Sequence, residues 1–99
     1  MSPAVKPRTL PRPFNYHWGG GQIVEEASFR AEHHEPAIQL LEYEGGEHDG
    51  MWSIRFCFYN PRGMFQRSPM VVGADEIKGL RAALKKTPKL RRLLKNLVD

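Results

Sequence analysis

The run MWSIRFCFYNPRGMFQRSPMVV, residues Met51–Val72, reads as two strands joined by a turn. Trp52, Ile54, Phe56, Phe58 and Tyr59 are aromatic or β-branched types that suit a pleated, half-buried surface. Asn60-Pro61-Arg62-Gly63 supplies the turn, with Pro61 presetting φ and Gly63 free to take a positive φ. With Tyr59 and Met64 flanking that turn, Phe58 faces Phe65 and Phe56 faces Arg67. Arg55 then shares the other face with Tyr59, Gln66 and Ser68. Trp52, Ile54 and Phe56 read as core, and the Arg55 face as the one that meets solvent or a ligand.

Upstream of the hairpin, two more strands are expected. Gln22–Glu32 alternates in part, placing Ile23, Glu25, Ala27, Phe29 and Ala31 on one side. Ala37–Glu44 carries Ile38, Leu40 and Leu41, and Gly45–Gly50 is a glycine-bounded loop. Residues 1–21 hold Pro3, Pro7, Pro11 and Pro13 and then Gly19-Gly20-Gly21. Such a stretch reads as a flexible basic and aromatic arm, preceding a single domain over residues 22–99.

Downstream, the period changes to that of a helix. Ile77, Leu80, Ala83 and Leu84 form one apolar stripe, and Leu90, Leu93, Leu94, Leu97 and Val98 a second. Thr87-Pro88 separates two helices rather than kinking one, because Pro at the first helical position costs little. The expected fold is therefore α+β, a four-stranded antiparallel meander followed by helices packed on one face of the sheet.

Charge is segregated along the chain. Residues 25–49 hold eight acids against Arg30 alone, whereas residues 78–95 hold eight Lys or Arg and no acid. Such asymmetry suits nucleic acid, an acidic protein partner or self-association. A folded part near 80 residues has little core to spare, and a homodimer is a common remedy. Cys57 is the only cysteine and reads as an inert thiol among strand residues. The chain shows neither an apolar signal region nor a membrane-spanning run, so a cytoplasmic protein without a membrane role is expected, with the nucleoid as a compatible place.

No Gly-rich phosphate loop, Ser-centred elbow or Cys–His motif marks an enzyme, and no cofactor is implied. Glu32-His33-His34-Glu35 lacks metal-ligand spacing, because adjacent strand residues point to opposite faces. What the chain does offer is cations beside flat side chains: Arg55, Arg62 and Arg67 with Phe58, Tyr59 and Phe65. The arm adds Lys6, Arg8, Arg12 and Trp18. Phosphates call for the first kind of group and unpaired bases for the second.

Ile54-Arg55, Pro61-x-Gly63 and then Met70–Ile77 together resemble the positive-cofactor-four family of transcriptional coactivators, a group that includes the Whirly proteins. The local match covers about 25 residues and the strand–helix plan about 60. The resemblance implies a homodimer that binds single strands, DNA before RNA, in transcription. It places Arg55 at a family arginine, Phe58 at a strand aromatic and Arg67 near a basic cluster. The second helix and the Pro-rich arm lie outside it. A different reading of the same sequence is a protein-interaction module whose basic helices dock an acidic partner or a second copy.

Overall fold

The computed structural model describes residues 8–66 and 69–99. Five strands form one antiparallel meander in the order β1-β2-β3-β4-β5, one more than the sequence suggested. They are β1 (Arg12–Tyr16), β2 (Gly19–Ser28), β3 (Glu35–Tyr43), β4 (Trp52–Tyr59) and β5 (Met70–Gly73). The extra strand comes from the expected arm. Pro13 is tolerated because β1 is an edge strand, where one side of the backbone needs no ladder partner. Gly21 belongs to β2 and pairs with Phe14 on one side and Tyr43 on the other. A Cβ there would overlap the Glu42 carbonyl oxygen, so only glycine lets the three strands close up. Across that bare position the Phe14 and Tyr43 rings meet edge-on, with centroids 5.2 Å apart.

The β4–β5 connection forms as its residues dictate. Gly63 takes φ 81°. The Asn60 side-chain oxygen accepts from the N–H groups of both Arg62 and Met64 at 2.9 Å. The register differs from the expected one: Tyr59 bridges Phe65, and Phe56 faces Met70 instead of Arg67.

The two faces of the sheet also exchange their expected roles. The inner face carries Phe14, Ile23, Leu41 and Tyr43, which form the core cluster. By register it also carries Glu26, Gln39, Ser53, Arg55 and Tyr59. Of the ten buried residues among those described, nine lie on it, Val72 being the exception. Trp52, Ile54, Phe56 and Phe58 point to the outer face, where none is fully buried and Trp52 is 52% exposed.

A β-bulge in β2 explains part of the difference. Ile23 pairs with Leu41, but Glu25 pairs with Leu40, so Val24 is the extra residue. The slip turns Glu26 inward and Glu25 outward. Strand curl does the rest. β1 and β4 are separated by β2 and β3, roughly 14 Å in a flat sheet. Yet Arg12 on β1 reaches the Tyr59 hydroxyl on β4 at 2.9 Å.

After a 3-10 turn at Ala74–Glu76, two helices follow: α1 (Ile77–Leu84) and α2 (Pro88–Val98). The separation at Thr87-Pro88 is as expected, with Pro88 opening α2. The expected packing of the helices on the sheet is not seen, since neither helix contains a buried residue. Accordingly the radius of gyration is 15.0 Å, against about 13 Å for a compact chain of this length. No helix among the described residues is long and apolar enough to cross a membrane.

Candidate nucleic-acid interface

The inner face holds a polar network built on Gln39, which is 1% exposed. Its amide nitrogen donates to Glu26 Oε2 at 2.6 Å and to the Tyr59 hydroxyl at 2.9 Å. Its oxygen accepts from Arg55 Nε at 2.6 Å. Arg12 joins from β1, donating to Glu26 Oε2 at 2.8 Å. No buried side-chain polar atom among the described residues lacks a partner. Mutual satisfaction of this kind is what allows so many polar groups to sit inside.

Two of the three guanidinium groups are neutralised. Arg8 makes a two-pronged pair with Glu35 at 3.0 and 3.1 Å, and Arg12 pairs with Glu26. The hydrogen bond to Arg8 holds the Glu35 carboxyl below its ordinary value. Burial pushes the Glu26 carboxyl up, but hydrogen bonds from Arg12 and Gln39 outweigh it and leave its pKa lowered.

Arg55 is different. It is 7% exposed, and no carboxylate among the described residues lies within ion-pair distance of it. Gln39 and the Tyr16 hydroxyl, at 2.6 and 3.1 Å, are its hydrogen-bond partners. Its guanidinium carbon lies 4.7 Å from the centre of the Phe65 ring and 5.9 Å from that of Tyr16.

These contacts extend into a continuous run across the sheet. Trp18, in the β1–β2 turn, stacks on Tyr16 with centroids 4.4 Å apart and rings 3° from parallel. Its indole N–H donates to the Tyr43 hydroxyl at 3.0 Å, which fixes the ring. Tyr16 touches Arg55, Arg55 lies over Phe65, and Phe65 meets Tyr59 edge-on at 5.6 Å. Arg8 covers the other part of Tyr59, 3.4 Å from the ring centre. Trp18 and Phe65, 41% and 42% exposed, are the open members of the run.

Of the residues singled out from sequence, Arg8, Arg12, Trp18, Arg55, Tyr59 and Phe65 thus come together. Arg55 and Tyr59 do so as buried members of the face and not, as expected, on a solvated one. Phe58 is left out, being on the outer face with its ring edge-on to His34 at 5.7 Å. Arg62 sits exposed in the β4–β5 turn. Lys6 and Arg67 lie outside the described residues.

Sequence reasoning missed Glu26, Glu35 and Gln39, and placed Tyr16 only among the aromatic residues of the arm. A signal existed for Gln39 and for the place of Tyr16. Gln39 interrupts the apolar run Ala37–Leu41, and Tyr16 precedes Trp18 by the two residues that return a strand to the same face. Glu26 gave none, because a bulge leaves no mark in the local pattern.

Compared with known proteins, the chain matches no family model, no curated protein and no solved structure.

Proposed function

We propose that the inner face binds single-stranded nucleic acid. The observation that carries this reading is the run from Trp18 through Tyr16, Arg55 and Phe65 to Tyr59. It offers two exposed rings for bases around a guanidinium that has no carboxylate of its own. In a low-dielectric setting an uncompensated positive charge projects further than it would in water. It attracts the phosphates that link stacked bases. The eight cations of residues 78–95, six of them on α1 and α2 and two in the link between, extend the positive field with no intervening acid. The resemblance of residues 54–77 to the coactivator family supports the same reading and favours DNA over RNA in a transcription-related role.

Trp18→Ala and Phe65→Ala test it, because both rings are open to solvent and their loss leaves the core cluster intact. Loss of one stacked base is worth about 1–3 kcal/mol. Each substitution is expected to weaken binding of a labelled single strand by roughly five- to a hundredfold. Unchanged affinity in both variants would remove the inner face from consideration.

A further inference from the structure

We infer that α1 and α2 dock on the outer sheet face of a second copy of this chain. Two apolar surfaces are left uncovered in the single chain. One is the helical stripe, where Leu80, Leu90, Leu93 and Leu97 are all exposed. The other is the outer face of the sheet. Ile38, Leu40 and Ile54 line a shallow groove there of about 400 Å³, beside exposed Trp52 and Met70. Patches of this kind on a small chain mark an interaction surface.

Their charges are opposite. Residues 77–98 contain eight cations and no acid. The outer faces of the five strands carry Glu25 and Glu42 and no Lys or Arg. Glu25 stands at the rim of the groove itself. A helix with leucines along one side and lysines and arginines flanking them matches an apolar groove with an acidic rim. One chain carries one of each surface. Two chains related by a two-fold axis bury both pairs at once, and no unmatched surface is left to propagate.

This inference uses the opposite face of the sheet from the nucleic-acid reading; the helices serve both, and the inference stands without that reading. The occupant is a second copy. Closure of the helices on their own sheet, or capture by an acidic partner, would leave the isolated chain monomeric.

Light scattering on the full chain at tens of micromolar distinguishes these outcomes. The expected mass is twice the 11.4 kDa of one chain. Leu93→Asp with Leu97→Asp is expected to weaken dimerisation at least a hundredfold, because burying an unpaired charge is costly. The sheet is expected to survive, since the helices contribute no buried residue. Trp52→Glu with Met70→Glu alters exposed positions of the outer face and is expected to do the same. An equal mixture of the two variants retains one sound helix pair and one sound sheet face, so part of the dimer should return. A monomeric wild type overturns the inference. So does a dimer that survives both double substitutions, or a mixture that stays wholly monomeric.

Discussion

Arg55 Nε donates to Gln39 Oε1 at 2.6 Å, directly across the β3–β4 ladder. Through that bond the buried guanidinium is joined to the Glu26–Tyr59–Arg12 cluster while remaining without a carboxylate of its own. Gln39 therefore decides both the stability of the inner face and its charge.

Replacing Gln39 with Leu would strand Arg55 Nε and remove a donor from Glu26. An unsatisfied buried polar group costs about 1–3 kcal/mol, more when charged. The midpoint of thermal unfolding should drop by roughly 4–8 °C for each kcal/mol lost. Calorimetry checks this, and an unchanged midpoint would show that the network is replaceable.

Gln39→Glu separates structure from function. It gives Arg55 a carboxylate and so cancels the positive charge offered to phosphate. Oligonucleotide affinity should fall, and its dependence on salt should become shallower, because fewer counterions are released on binding. The new carboxylate would also sit against Glu26, so the pair should hold a proton more readily than either carboxyl alone. A titration of affinity from about pH 5 to pH 8 should show binding recovering on the acid side.

Gly21→Ala places a methyl group against the backbone of Glu42 and Tyr43, which cannot move aside as a flexible side chain would. Overpacking of a core costs about 1–3 kcal/mol, and a backbone clash lies at the upper end or beyond. Urea unfolding is expected to show a large loss of stability. Gly45→Ala, with nothing within 4 Å of the added carbon, should lose only the smaller cost of its positive φ.

The carboxyls of Glu26 and Glu35 have folded-state values below their ordinary ones, so the unfolded chain binds more protons in acid. Their contribution is complete above the unfolded carboxylate value of about 4.3 and is lost as pH falls through the depressed folded values. Stability should be level from about pH 5 to pH 7 and decline below about pH 4. Glu35→Gln should flatten that acid limb, while a limb of unchanged depth would place the linkage elsewhere.

Much of the fold was legible in the sequence. The strands around Ile38–Leu41 and Trp52–Tyr59, the Pro61-Arg62-Gly63 turn and the break at Thr87-Pro88 all follow from local chemistry. β1 was hidden because prolines and glycines signal flexibility until an edge position and a close approach give them a use. Which face is inner could not be read from alternation, since Trp52, Ile54 and Phe56 are the more apolar set. Arg55 and Tyr59 lie inside because partners up to 47 residues away satisfy them. Such partners are set by register and curl, and Glu26 joins them only through the bulge at Val24.

The central claim is most directly tested by fluorescence anisotropy with a labelled single-stranded oligonucleotide and a duplex of the same sequence, across a salt series. The account expects tighter binding of the single strand, a steep loss with salt, and a residual single-strand preference at high salt from stacking on Trp18 and Phe65. No binding at low salt, where charge attraction is least screened, would contradict it.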